Sequence, residues 1–264
     1  MLKRFVLIPL LVVALTIGLI SPIPGLGQVK AATNHVFFYA PHQDDELLSM
    51  GVAIRYYLEL GYNVHVVLLT DGSATGARRV INGDVYCQWH KRYHNPAAEG
   101  YAPLTEADIT EARNKEFIES VKALGVPESN IHIHNFKDGT LTRAQMKTLV
   151  RWTYEYRYPN AQHKVMSYHD SHPDHKNSGQ ALLEMYNSGE LSNVRFYLKQ
   201  EDQHRFGSYH PYHSGMYPYF SAAANAYKKW DPANGRFAVG YHSVPAMFDD
   251  FLANPRSKWH KPGQ

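Results

Sequence analysis

Short apolar runs alternate with longer stretches in which apolar residues recur every three or four positions, and this two-period pattern organises the chain from about residue 35 to residue 198. The runs His35–Tyr39, Val64–Thr70, Ile131–Phe136, Lys164–Tyr168 and Val194–Leu198 have strand length and are rich in β-branched and aromatic residues. Between them, Leu47, Gly51, Ile54 and Leu58 share one face of a first helix closed by Gly61, and Phe117, Val121 and Leu124 share a face of a second, from about Glu106 to Leu124. A third helix is predicted after Thr140, running to about Tyr156. A fourth starts at Pro173, a residue suited to the first helical position, and ends near Gly189. Strands and helices in alternation, joined by right-handed crossovers, predict a three-layer, Rossmann-like α/β sandwich with a mostly parallel sheet and ligands at the C-terminal edge of its strands. Two stretches fall outside the repeat: Asp71–Thr105, and the Tyr-, His- and Pro-rich segment from His204 onwards. In the first, Tyr86, Trp89 and Tyr93 are candidates for a stacking wall against a sugar ring or for packing of the loop onto the body.

The N-terminus reads differently. Lys3 and Arg4 precede an apolar stretch from Phe5 to Ile20, then helix-breaking Pro22, Pro24 and Gly25 and small residues around Ala31. This is the pattern of a secretory signal peptide over residues 1–31, with cleavage near Ala31, and an uncleaved membrane anchor is the alternative. The expectation is one exported domain over residues 32–264, without stable membrane insertion after processing. Losing Lys3, Arg4 and Lys30 from 27 basic residues leaves 24, equal to the 24 acidic ones, so no nucleic-acid partner is implied. Cys87 is the only cysteine. Internal disulfides and a cysteine-based zinc site are excluded, and any metal should be held by nitrogen and oxygen.

The chemistry concentrates at the predicted strand exits. His42, Asp44 and Asp45 follow the first strand, Asp71 the second, and His169-Asp170-Ser171-His172-Pro173-Asp174-His175 the fourth. Two imidazoles and a carboxylate can hold zinc and leave a position for water, whose pKa falls to about 7, while a remaining carboxylate serves as base. Spacing alone is weak evidence: His210/His213 repeats the His-x-x-His interval of His172/His175, and His90/His94 are four apart in a chain of 16 histidines. The preceding strand, the helix-starting Pro173 and the acidic cluster at the first strand's edge set His172/His175 apart. No Gly-x-Ser-x-Gly, His-Glu-x-x-His or phosphate-loop pattern occurs.

At these residues the chain resembles the PIG-L (LmbE-like) family of zinc-dependent N-acetylglucosamine deacetylases, whose signature is Ala-His-Pro-Asp-Asp-Glu after the first strand and His-Pro-Asp-His after a later one. The resemblance runs from about His35 to Tyr197 and includes Arg113, Glu116, Leu124-Gly125-Val126 and Asp138-Gly139. Tyr241-His242-Ser243 is similar to a late His-Ser element. Gln43 stands where the family has proline, and an extra Pro41 precedes His42. The resemblance implies one Zn2+ per chain held by His42, Asp45 and His175, with Asp44 as general base on the metal-bound water and His172 as acid or oxyanion stabiliser. Asp174 is expected to orient an imidazole.

The expected activity is therefore amide hydrolysis that removes acetyl from an N-acetylglucosamine-type sugar or glycoconjugate. Two alternatives stand beside it: another N-acyl substrate under the same chemistry, and a non-catalytic extracellular sugar- or metal-binding protein. The spare carboxylate of Asp44 speaks against the last.

Overall fold

The computed structural model describes residues 34–264, so the expected signal segment 1–31 lies outside the described residues. All five predicted strands form: β1 (His35–Ala40), β2 (Asn63–Thr70), β3 (Ile131–Phe136), β4 (Gln162–Met166) and β5 (Val194–Leu198). They lie in the order β3-β2-β1-β4-β5, each neighbouring pair parallel. The chain winds outward from β1 through β2 to β3 and then returns to the other side of β1, which puts the topological switch between β1 and β4.

Both faces of this sheet are covered. In β1 the pleat sends Val36, Phe38 and Ala40 into one core and Phe37 and Tyr39 into the other, which is why the strand reads as a continuous apolar run. The first core is completed by α1 (Asp45–Leu48), α2 (Gly51–Glu59) and the inner face of a longer helix, reached after the short α3 (Ala77–Ile81): α4 (Glu106–Ala123), through Phe117 and Val121. The second is completed by Met146 and Leu149 of α5 (Arg143–Leu149) and by Ala181, Leu182 and Met185 of α6 (Pro173–Asn187).

Two helices differ from expectation. The first is broken at Ser49-Met50 into α1 and α2, because the amides of Val52 and Ala53 donate to Ser257 Oγ at 3.1 and 3.4 Å instead of continuing the ladder from α1. The third continues beyond α5 as a π-helical stretch, Val150–Glu155.

The segment after β5, which gave no repeat in the sequence, supplies an edge and a third part of the first core. β6 (Ser208–Tyr209) and β9 (Lys258–His260) extend the sheet, with β9 antiparallel to both β5 and β6, while β7 (Trp230–Asp231) and β8 (Arg236–Phe237) form a separate ribbon. Phe220, Ala224 and Tyr227 of α7 (Tyr217–Lys228), Tyr241 of α8 (Val239–Ser243), and Phe248 and Phe251 of α9 (Pro245–Ala253) pack against α1, α2 and α4. Among the described residues no helix is long and apolar enough to cross a membrane.

Candidate active site

The loop that leaves β1 is built by burial. Glu46 is fully buried and accepts from the Asp44 amide at 2.9 Å, from Ser120 Oγ at 2.7 Å and from the Tyr227 hydroxyl at 2.7 Å. Arg113, on α4, donates to the Gln43 carbonyl at 2.7 Å, to the Gly72 carbonyl at 2.9 Å and to Asp44 Oδ2 at 3.3 Å. Arg113 therefore ties the β1 and β2 exits together, and the departure at Gln43 is accommodated: its buried amide donates to Asn114 Oδ1 at 3.0 Å. Glu116 does not join this loop; it accepts from the Val239 and Gly240 amides at the start of α8. Held this way, Asp44 sits at φ 103°, in the half of backbone space that L residues rarely enter and where strain gathers at functional sites.

His42, Asp45 and His175 come together as expected. His42 Nδ1 lies 3.0 Å from His175 Nε2, His175 Nε2 lies 3.1 Å from Asp45 Oδ2, and Asp45 Oδ2 lies 3.5 Å from His42 Nδ1. Ligands of a tetrahedral zinc are roughly 3.3 Å apart, given bonds of about 2.0–2.1 Å, so this triangle has the size of one face of such a site. Gly179, one turn after His175, brings α6 onto β4: a Cβ there would stand 2.6 Å from the Met166 carbonyl. Glycine at that position is what lets His175 reach β1.

Carboxylates orient both rings. His175 Nδ1 meets Asp170 Oδ2 at 3.0 Å, and His42 Nε2 meets Asp174 Oδ2 at 3.1 Å and Asp138 Oδ1 at 3.2 Å. Asp174 is held in turn by the amides of Gly139 and Leu141. Its orienting role is as expected, and its imidazole is His42. Sequence reasoning named Asp170 and Asp138 without a role. Both follow strands at the sheet's active edge, which was the available signal.

The electrostatics call for a cation. Burial opposes charge on His42, yet Asp138, Asp174 and Asp45 carry its pKa well above the ordinary value; for His175 burial is likewise outweighed, by Asp45 and Asp170, and its pKa rises to about 9. A metal ion can take the place of these protons. The donor set of two backed imidazoles and a carboxylate fits a divalent transition metal, zinc included.

Asp44 stays outside the triangle. Burial, with Asp45 adding to it and Arg113 opposing, lifts its pKa to about 6. His172 caps α6, its Nδ1 accepting the Asp174 amide at 3.3 Å. That assigns the proton to Nε2 and leaves the ring a donor, with its pKa lowered by burial and by the neighbouring His42 and His175. Its ring centre is 4.5 Å from that of His42.

These residues open into a cleft of about 410 Å³ that is also lined by Thr75, Lys199, Glu201, Ser243, Val244 and Met247. Sequence reasoning missed Lys199, although its place directly after β5 marks it. Two residues that the sequence put at the active edge do not line the cleft. Asp71 organises its own loop through Ser73 and Asp138, and His169 meets the Gln264 carbonyl at 2.9 Å. His210, buried against the Tyr197 hydroxyl, and His213, paired with Glu59, do not line the cleft. Neither do Tyr86, Trp89 and Tyr93: Trp89 stacks on His90 and packs against Tyr241, which is the loop-packing alternative, and Tyr86 and Tyr93 meet each other.

A mostly parallel Rossmann-like sheet carrying a two-histidine, multi-carboxylate centre at its switch point defines a metal-dependent hydrolase. Residues 37–186 match the family model described as PIG-L, GlcNAc-PI de-N-acetylase, and the chain belongs to that family of deacetylases. No curated protein sequence matches the chain significantly. Among solved structures, a triple-mutant deacetylase of the teicoplanin biosynthetic pathway is similar at a TM-score of 0.56 and 17% identity, over 86% of this chain and 96% of that one. The N,N'-diacetylchitobiose deacetylase from Pyrococcus horikoshii is similar at 0.55 and 19%, over 87% and 84%. The A40926 pseudoaglycone deacetylase Dbv21 is similar at 0.55 and 16%, over 88% and 99%. At these identities the likeness is one of fold.

Proposed function

We propose that this protein is an exported, zinc-dependent deacetylase that removes acetyl from N-acetylglucosamine-type sugars or glycoconjugates. The observation that carries the reading is the triangle of His42 Nδ1, Asp45 Oδ2 and His175 Nε2 with the carboxylate of Asp44 beside it. When bound there, a divalent cation supplies a Lewis acid that lowers the pKa of water and polarises an acyl carbonyl.

The chain's own residues supply the rest. An amide is a poor electrophile with a poor leaving group, so hydrolysis needs a base, charge stabilisation and a proton for the amine. Asp44, with a pKa near 6, is mostly ionised at neutral pH and basic enough to take a proton from the attacking water. As the water oxygen bonds to the acetyl carbon, the Nε2–H of His172 stabilises the negative oxygen. Asp44 then returns its proton to the nitrogen as the C–N bond breaks, releasing acetate and the free amine.

The sugar reading is supported by the cleft and by the family. At about 410 Å³ the cleft falls within the usual range of roughly 300–1,000 Å³ for small-molecule sites, and Thr75, Lys199, Glu201 and Ser243 offer partners for hydroxyl groups. The similar structures include deacetylases named for a chitobiose, for teicoplanin biosynthesis and for the antimicrobial A40926 pseudoaglycone, so an antimicrobial-type N-acyl group is the natural competitor. Acetate release from graded N-acetylglucosamine oligomers, using metal-stripped and zinc-restored protein, tests the proposal. Turnover that survives stripping, or that appears only with non-sugar amides, contradicts it. Export rests on the leader, and a mature N-terminus close to residue 32 in culture supernatant checks it.

A further inference from the structure

Cys87 in the long insertion lies beside three histidines that take no part in the active site. The ligand atoms of Cys87, His90, His94 and His242 all lie within 4.8 Å of one another. Cys87, His94 and His242 are buried and His90 is half-buried. From the sequence a lone cysteine was taken to exclude a thiolate ligand. One thiolate with three imidazoles is a complete tetrahedral set, and the fourth residue arrives from far along the chain.

The proton bookkeeping is specific. His94 Nδ1 faces Glu99 Oε2 at 2.9 Å and His242 Nδ1 faces the Ala238 carbonyl at 2.8 Å, so both rings carry their proton on Nδ1. With the rings neutral their Nε2 atoms are both lone pairs, yet they point at each other across 3.1 Å, and His90 Nδ1 stands 3.2 Å from His94 Nε2. Nitrogens around a tetrahedral zinc are roughly 3.3 Å apart. Two facing lone pairs repel unless a proton or a metal ion lies between them. The Cys87 side adds the usual support of a thiolate ligand, since the His90 amide donates to Sγ at 3.2 Å. Glu99 and the Ala238 carbonyl are placed as the outer partners that fix ring tautomers in metal sites.

We propose that Cys87, His90, His94 and His242 form a second, structural zinc site, closed by four protein ligands and distinct from the catalytic centre. Thiolate with imidazole favours zinc over magnesium or calcium, and four ligands leave no position for substrate. The site has a mechanical task. Residues 82–105 form no helix or strand, only an isolated bridge between Cys87 and Arg92, and no disulfide is available to hold them. Through His242 the metal fastens this stretch to α8, whose next residue, Ser243, lines the active cleft and meets Thr75 Oγ1 at 3.3 Å.

Metal analysis and cobalt substitution of the full-length protein test the proposal. The catalytic ligands include no sulfur, so a thiolate-to-cobalt charge-transfer absorption reports the second site alone. The expected results are two zinc equivalents per chain, a charge-transfer band in the cobalt form, and loss of one equivalent together with the band in Cys87→Ser. The half-buried His90→Gln provides a milder variant, expected to weaken the band. Asp45→Asn is expected to lose the catalytic equivalent and keep the band, which separates failure here from failure at the active site. Chelation should also open residues 82–105 to protease. One equivalent with no thiolate band in the wild-type protein, a band that persists in Cys87→Ser, or copper in place of zinc in the isolated protein would overturn the assignment.

Discussion

At the sheet edge His42 and His175 meet four carboxylates, Asp45, Asp138, Asp170 and Asp174, and their pKa values rise; in the second cluster His90 and His94 of the insertion and His242 of α8 have Glu99 as their carboxylate, and the pKa values of His90 and His242 fall. The same side chain thus serves two ends. Surplus negative charge around an incomplete ligand set, open to a cleft with Asp44 beside it, makes a site for reaction. A complete and nearly neutral set, sealed by Trp89 and Trp230, makes a fastener. The number of protein ligands and the presence of a spare base separate the two, whereas histidine spacing does not.

The largest effect expected from breaking this contrast is at Asp44. Asp44→Asn keeps a side chain tolerated at positive φ and removes only the base, so kcat/KM should fall about 10²–10⁴-fold with metal content unchanged. Parallel acetate-release and metal assays check it. Loss of metal along with activity would make Asp44 a ligand instead.

The orienting carboxylates come next. Asp170→Asn removes the charge behind His175 Nδ1 and should weaken zinc at the sheet edge about 10–100-fold, measured by competition with a chelating dye. Gly179→Ala, which forces α6 away from the Met166 carbonyl, should act on the same constant by displacing His175. Neither change should touch the thiolate-cobalt band.

The sequence revealed the edge of the sheet and the residues on it, because strand exits and the Asp44-Asp45 and His172/His175 pairs are local patterns. It did not reveal which acid faces which ring: Asp170, Asp174 and His175 lie within a few residues, and only the fold sends Asp174 to His42 and Asp170 to His175. The second cluster was illegible for a related reason. His90/His94 looked like chance spacing, and their partner His242 is 148 positions from His94. The C-terminal helices were missed because α8 and α9 are short and their place is set by packing on α1, α2 and α4, which leaves no long periodic run to read.

The neutral class of histidine extends into the core and gives a pH test. Burial lowers the pKa of His65 and His210 to about 3 each, with His132 and His35 adding to it at the first and Arg195 and Lys164 at the second. Both lie below the ordinary 6.5, so their contribution to stability is intact above that pH and is lost as the pH falls from about 6.5 towards 3, because the unfolded chain takes up protons first. The expected loss is on the order of a few kcal/mol, visible as a falling thermal midpoint, and His210→Gln should flatten the slope. A midpoint that stays level down to pH 4 would contradict it.

The smallest effect expected is at Ser257, remote from both clusters, whose hydroxyl receives the first amides of α2. Ser257→Ala should cost about 1 kcal/mol in denaturant unfolding and leave metal content and cobalt spectrum unchanged. A change in either metal readout would mean that the clusters respond to general stability, and the contrast between them would lose its meaning.

The most direct test of the central claim is an anomalous-scattering map at the zinc edge from crystals of the zinc-loaded protein. The account predicts a peak about 2.0–2.2 Å from His42 Nδ1, Asp45 Oδ2 and His175 Nε2, with Asp44 close by but not bonded. A peak on the opposite side of the His42 ring, between Nε2, Asp138 and Asp174, or no peak at the sheet edge, would contradict it.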